Sequence, residues 1–339
     1  MSIYYQDEAT QIIYGDCIDA MREMADNSAD SIVTDPPYGL GFMGKAWDAL
    51  PPGEEWAAEC LRVLKPGGHL LAFGGSRTWH RLAVAVEDAG FEIRDSIAWM
   101  YGSGFPKHRA ALKPAFEPIV MARKPFKGSL TANEAIHGTG ALNIDACRID
   151  ANGEVLTGGT GTVGKHEGWD RPYMHDGAQR ENYKSTAGRW PANVVLDDTT
   201  AELLDEQSGK AGGGYGVRGK GGKVYANGEG FANSLAETGQ TVGYGDSGGA
   251  SRFFYVAKAP KRERPVVDGI AHPTVKPLAL MRWLIRLVTP EGGTVLDPFA
   301  GSGTTVEACI LESLHCIAIE REVEYLPLIQ ARIDRQDAA

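Results

Sequence analysis

The chain has no Cys-x-x-Cys pair, no apolar stretch that approaches a membrane span, and no surplus of positive charge. Its five cysteines, Cys17, Cys60, Cys147, Cys309 and Cys316, are scattered, so neither a structural zinc nor a disulfide framework is expected. They read as free thiols, mostly in the core, and no metal site is predicted. The polar start, residues 2–10, lacks the apolar centre of a signal peptide, so a cytoplasmic protein without membrane contact is expected. A net charge of -10 argues against an evenly cationic nucleic-acid binder, because neutralising phosphates needs Lys and Arg. There is also no internal repeat.

What is present is unevenly spread. Residues 100–127 hold Lys107, Arg109, Lys113, Arg123, Lys124 and Lys127 against the single acid Glu117. Residues 207–223 hold Lys210, Arg218, Lys220 and Lys223 with no acid, and Lys258, Lys261, Arg262 and Arg264 make a third cluster. Each cluster alone is ordinarily a solvated face, yet local basic faces on an acidic body remain compatible with DNA. At 339 residues and 43% hydrophobic content, the chain can bury a full core in one large domain with an insertion or in two domains.

Strand and helix patterns alternate at both ends of the chain. Residues 11–14 and 30–34 read as strands, 54–64 as an amphipathic helix stopped by Lys65-Pro66-Gly67-Gly68, and 69–73 as a buried strand. A helix over 79–89, a strand over 92–100 and a strand over 118–123 follow. Such alternation predicts a doubly wound, mostly parallel α/β sheet. From 126 to 250 glycine is dense and amphipathic periodicity scarce, with Arg189-Trp190-Pro191 and a short strand at 193–196 as landmarks. Residues 209–249 suit a flexible linker and an ordered segment equally. Regular structure resumes with an aromatic strand at 251–257, a helix at 278–288, strands at 294–296 and 316–319, and a closing helix at 325–333. The expected organisation is thus 1–125, an insert at 126–250, and 251–339.

Two loops carry chemistry. Asp35-Pro36-Pro37-Tyr38-Gly39 follows a strand, and its prolines cannot continue a ladder. A carboxylate, a ring and stiffened carbonyls suit an exocyclic nucleobase amine, with Asp35 and a carbonyl accepting the N–H hydrogens and Tyr38 stacking on the base. By itself the tetrapeptide serves equally as a turn that closes a core strand. The second loop, Asp297-Pro298-Phe299-Ala300-Gly301-Ser302-Gly303, lies between a strand and a helix, and the next strand ends in Glu320. Gly301 and Gly303 admit close approach of a ligand, and Glu320 can accept both hydroxyls of a ribose. The third glycine of a dinucleotide fingerprint is absent at Val306, and no Lys follows Gly303 as a phosphate loop requires.

These motifs together resemble the S-adenosylmethionine-dependent DNA amino-methyltransferases in the β order of motifs: catalytic loop, target-recognition region, cofactor loop. The resemblance covers residues 1–125 and 250–335. It implies a seven-stranded Rossmann-like methyltransferase sheet with an inserted target-recognition region. It makes Asp35, Pro36, Pro37 and Tyr38 the catalytic motif, Asp297, Phe299, Gly301, Ser302 and Gly303 the methionine-binding loop, and Glu320 the ribose acid. It further implies that Asp16 and Cys17 lie beside the cofactor adenine, and that Thr274 and Lys276, within His272 to Pro277, approach the methionine carboxylate. Asp16 also suits an N-cap and Lys276 an exposed lysine at a helix start.

The reaction implied is methyl transfer to the N6 of an adenine flipped out of DNA, since Asp in the first motif position resembles the adenine enzymes, where cytosine N4 enzymes usually carry Ser. Cytosine N4 stays the alternative. RNA or protein glutamine is disfavoured, and an inactive DNA-binding module is discouraged by the intact loops. Trp47, Trp99 and Tyr101 suit either the base pocket or the core, and Lys107, Arg109, Arg189, Trp190, Arg218 and Lys220 are candidate DNA contacts. The middle region loosely resembles inserts of phage and prophage members. Recognition sequence, homodimer formation and a restriction-endonuclease partner stay open.

Overall fold

A computed structural model describes residues 1–41, 44, 46–104, 109–110, 112–151, 156–157, 184–185, 188–212, 216–217, 241–242, 247–257 and 264–337. Residues 1–147, 191–202 and 254–339 form one compact unit, and residues 148–190 with 203–253 form a second.

The first unit is built on a ten-stranded sheet. Its strands in chain order are β1 (Ser2–Gln6), β2 (Thr10–Tyr14), β3 (Ala29–Thr34), β4 (Leu64–Phe73), β5 (Glu92–Met100), β6 (Phe116–Arg123), β7 (Val194–Asp197), β8 (Tyr255–Ala257), β9 (Thr294–Asp297) and β10 (His315–Glu320). Their spatial order is β1-β2-β10-β9-β3-β4-β6-β5-β7-β8. Pairing is parallel from β2 through β4, and β6 runs antiparallel to both β4 and β5. The expected seven-stranded sheet is therefore the run from β2 to β5, extended by β1 at one edge and by β7 and β8 at the other.

Central strands are buried on both faces, which explains their near-continuous apolar character. In β3 all six residues are buried, three of them polar: Asp30, Ser31 and Thr34. Asp30 is satisfied by Lys65 Nζ at 2.7 Å and by the backbone N–H of Thr294 at 2.9 Å, and the Ser31 hydroxyl meets that of Thr289 at 2.7 Å. Helix α6 (Leu278–Val288) buries Leu280, Met281, Trp283, Leu284, Ile285, Leu287 and Val288 against this sheet, a broad apolar face legible in the sequence. All five cysteines are free and buried.

Several elements differ from the sequence pattern. Strand β4 begins at Leu64, directly after α2 (Glu54–Val63), so Lys65 to Gly68 belong to the strand and do not precede it. Residues 250–253 form a single 3-10 turn, which shortens the expected aromatic strand to β8. Edge strand β1 is largely exposed and so carries no hydrophobic alternation. The unexpected helix α4 (Leu130–His137) has one buried residue, Asn133, whose amide donates to the carbonyls of Pro66 and Thr139. Its stripe is polar, so periodicity gave no sign of it. Helix α5 (Asp198–Ser208) likewise buries only Ala201.

Candidate functional site

The sheet reverses direction of winding at β9 and β3. From β9 the chain proceeds through α7 (Thr304–Leu311) to β10 on one side, and from β3 through α2 to β4 on the other. In open α/β sheets, ligands bind beyond the carboxyl ends of strands at such a reversal. Both motif loops leave from this point, Asp35 after β3 and Asp297 at the end of β9. They are joined directly, since the Thr34 hydroxyl donates to Asp297 Oδ1 at 2.6 Å. Together they open on a cavity of about 1160 Å³ whose lining includes Asp16, Asp35, Tyr38, Glu117, Lys276 and Glu320.

On the side of the glycine loop, left-handed backbone is required at Gly301 (φ +52°) and Gly303 (φ +77°). A Cβ at Gly303 would stand 3.0 Å from Ile329 Cα, and one at Gly301 would stand 3.2 Å from His272 Nε2. Glu320 at the tip of β10 holds this loop: Oε2 accepts from the Gly301 N–H and Oε1 from the Glu322 N–H, both at 2.7 Å. Burial pushes the Glu320 carboxyl up to about 7, against those two bonds, and burial pushes Asp297 up to about 6, against its hydroxyl and backbone donors. Phe299 donates its N–H to Asp297 at 3.1 Å and packs its ring against Trp56, while Ser302 is buried beside the Thr304 hydroxyl at 3.4 Å.

Asp16 does serve as the N-cap of α1 (Cys17–Glu23), accepting from Ile18 N at 2.9 Å. It also lines the cavity with Cys17, whose thiol is pushed up to about 12 by burial and by Asp16. Thr274 lines the cavity too, and its carbonyl lies 2.6 Å from His272 Nδ1.

The Asp35–Gly39 loop is held by residues that the sequence patterns did not single out. Asp48 accepts the N–H groups of Tyr38 (2.6 Å), Gly39 (2.9 Å) and Leu40 (3.2 Å), and the Thr78 hydroxyl donates to the Tyr38 carbonyl at 2.7 Å. Tyr38 Oη lies 2.9 Å from Asp35 Oδ1 and 2.8 Å from Glu117 Oε2. Lys276 is not the exposed lysine of the alternative reading. Its ammonium is buried 2.5 Å from Asp35 Oδ2 and 3.4 Å from Glu117 Oε2, as a counter-charge to these two acids. Burial alone would lower its pKa, but the two carboxylates outweigh this and raise it. One sequence signal did mark Glu117, as the single acid in a stretch of six bases.

Trp47, Trp99 and Tyr101 all line the cavity, Trp47 stacked on His272, and Trp99 tilted against Tyr101 and edge-on to Phe73. Arg109 is exposed. Arg189 and Trp190 belong to the second unit, where Arg189 pairs its backbone with Ile149 and lays its guanidinium 5.6 Å from the Phe253 ring centre. Trp190 is 66% exposed and lies under the Arg148 guanidinium at 5.4 Å. Lys107, Arg218 and Lys220 lie outside the described residues, as does most of 209–249. Among the described residues, no cluster of acids, histidines and cysteines could hold a metal, and no helix is long and apolar enough to cross a membrane.

The chain is similar to the type II methyltransferase M.HpaI of Haemophilus parainfluenzae, with 24% identity over 96% of this chain and 74% of that protein. It is also 24% identical to the DNA adenine methyltransferase YhdJ of Escherichia coli K12, over 97% of this chain and 84% of the other. The solved M1.HpyAVI–SAM complex superposes with a TM-score of 0.48 at 19% identity, covering 96% and 99% of the two chains. The family model described as DNA methylase matches residues 29–331, and with that span the chain belongs to the N6-adenine/N4-cytosine DNA methyltransferase family.

Proposed function

We propose that the protein methylates the N6 amino group of adenine flipped out of DNA. The observation that carries this is the joining of the two motif loops by the Thr34–Asp297 bond at the mouth of one cavity. Asp35 in the first motif position supports adenine over cytosine, as does the likeness to a protein named as a DNA adenine methyltransferase.

S-adenosylmethionine is the methyl donor of this family, and when bound it supplies an electrophilic methyl group on a positively charged sulfur. The residues present fit such a group. Each Glu320 oxygen accepts one backbone bond and keeps lone pairs for ribose hydroxyls, Gly301 and Gly303 leave the loop bare of side chains, and Asp16 has an oxygen not used by its cap. Cys17, Thr274, Lys276, Asp297, Phe299 and Ser302 complete the proposed lining. On the substrate side, Asp35 and the Pro36 carbonyl accept the amine hydrogens, which localises the nitrogen lone pair and stabilises the charge developing there. Pro37 fixes the turn, and Tyr38 offers its ring to the base. Stacking returns about 1 to 3 kcal/mol against the few kcal/mol that flipping costs.

Residues 126–250 are proposed as the target-recognition region, with Arg109, Arg189 and Trp190 as proposed DNA contacts among the described residues. To test the function, unmethylated DNA is incubated with protein and S-adenosylmethionine, digested to nucleosides and analysed by mass spectrometry. N6-methyladenine is expected, and Asp35→Ala should abolish it while cofactor binding survives. N4-methylcytosine alone would move the assignment to cytosine, and no methylated base would overturn it.

A further inference from the structure

Tyr38 has two carboxylates within hydrogen-bonding distance and a single proton to give. Its hydroxyl is 2.9 Å from Asp35 Oδ1 and 2.8 Å from Glu117 Oε2. The acids come from different elements, Asp35 from the end of β3 and Glu117 from the start of β6, with β4 between those strands. Three oxygens in a row make two gaps, and a phenol O–H fills only one. Lys276 compensates part of the charge, but two carboxylates against one ammonium leave a net negative charge and room for one more proton.

That second proton has a source in the reaction. We propose that Asp35, Tyr38 and Glu117 form a relay that carries away the proton released by the methylated amine, with Glu117 a positioning residue acting through Tyr38. The proposal rests on the reading of Asp35 as the acceptor of the amine. The amine nitrogen forms its bond to the methyl carbon as the carbon–sulfur bond breaks, with the electron pair left on sulfur. The nitrogen then yields one proton to Asp35 Oδ1. Asp35 passes a proton to the Tyr38 oxygen while the Tyr38 hydroxyl proton moves to Glu117 Oε2. The outcome is a neutral methylamine, an ionised Asp35, an intact phenol and a protonated Glu117.

Two features suit these roles. The Tyr38 phenol is raised well above 10 by burial and by the two carboxylates, so it releases its proton only as it takes up another and is not left as a phenolate. The Glu117 side chain is 22% exposed, which gives the proton an exit at the end of the relay away from a base seated on Asp35. The titratable groups facing the relay are Lys276, Tyr101 just after β5, whose phenol burial and Glu117 push up to about 12, and Asp297, which feels the charge of Asp35.

The test uses the full chain, S-adenosylmethionine and unmethylated genomic DNA. Tyr38→Phe keeps the ring without the hydroxyl, and Glu117→Gln keeps the shape without the proton acceptor. Each is expected to slow single-turnover transfer about 10- to 100-fold, with calorimetric affinity for S-adenosylmethionine unchanged. The double variant should be no slower than the slower single, because a broken relay cannot be broken again. Glu117→Gln should also make the low-pH limb of the rate profile less steep, and Glu117→Asp should restore part of it. A wild-type rate and pH profile in Glu117→Gln would overturn the relay, as would losses that multiply in the double variant. A wild-type protein that methylates no adenine would instead remove the reading on which the relay rests.

Discussion

Replacing Asp48 by Ala is expected to loosen the Asp35–Leu40 loop while leaving the sheet beneath it intact. The Asp48 carboxylate is 3% exposed and collects three consecutive N–H groups, from Tyr38 and Gly39 on Oδ1 and from Leu40 on Oδ2. Gly39 is left-handed at φ +68°, and a Cβ there would stand 2.4 Å from Pro51 Cδ, so only glycine fits this turn beneath the acid. Bonds to a charged acceptor are worth about 1.5–3 kcal/mol each. Three of them do not add fully, and water reaches the half-buried N–H groups once the carboxylate is gone. A net loss of about 2–4 kcal/mol follows. Asp48→Asn separates the contributions, because its oxygen keeps Tyr38 and Gly39 while its NH2 faces the Leu40 donor, for a loss of about 1–2 kcal/mol. Urea unfolding reads both values, with the slope unchanged. Single-turnover transfer at low urea should fall more than about tenfold for Ala, since a 1 Å displacement of reacting groups costs about 100-fold. An Ala variant within about 0.5 kcal/mol of wild type and with full turnover would refute the role given to Asp48.

Glu320→Ala should strand the Gly301 and Glu322 N–H groups and weaken S-adenosylmethionine binding about tenfold or more, and equal affinity by calorimetry would remove Glu320 from the cofactor site. Asp297 and Glu320 both have folded pKa values raised above their ordinary ones, so their contribution to stability is full below the unfolded values and is lost as pH rises through about 6 and about 7. The unliganded protein should therefore lose on the order of a few kcal/mol between about pH 5 and pH 8 from these two groups. Thermal unfolding would show this as a falling midpoint that Glu320→Gln makes shallower, and an identical slope in that variant would count against it. Trp190→Ala should weaken DNA binding about tenfold, the lower part of the range for losing one stacked base. Cofactor affinity should not change, and filter binding that finds DNA affinity unaltered would take Trp190 out of the interface.

Much of the site was legible because its backbone demands unusual residues. Consecutive prolines after a β-run marked the end of β3, and glycines between a strand and a helix marked the end of β9. What escaped notice was the support around these loops. Asp48 reaches the loop from the single 3-10 turn Ala46–Asp48, and nothing in its local pattern says which N–H groups it will meet. Beside its expected approach to the methionine carboxylate, Lys276 also suited a solvent-facing lysine, because burial of an ammonium depends on Asp35 and Glu117, both more than 150 positions earlier in the chain. Helix α4 escaped because its buried face is the amide of Asn133, whose partners are carbonyls and not apolar side chains. Hydrophobic period reports burial of carbon, and these features bury polar atoms.

The bond between Thr34 and Asp297 closes a span of 263 positions, and the β3–β9 ladder beneath it pairs Ser31 with Val295 and Ile32 with Leu296. The first strand of the site is thus made early and waits for nearly the whole chain. At 5–20 residues per second, roughly 13 to 50 seconds of synthesis separate the two halves. A nascent chain accordingly has no methyl-transfer site until its last segment emerges, whatever nucleic acid lies nearby. Closing so long a span also makes it insensitive to further length, since doubling a flexible connection costs only about 0.6 kcal/mol. Length added within residues 148–190 or 203–253, which lie between those strands in sequence but belong to the second unit, should therefore cost little in closing the site, whereas β4 to β8 and α6 are core and cannot be exchanged so freely.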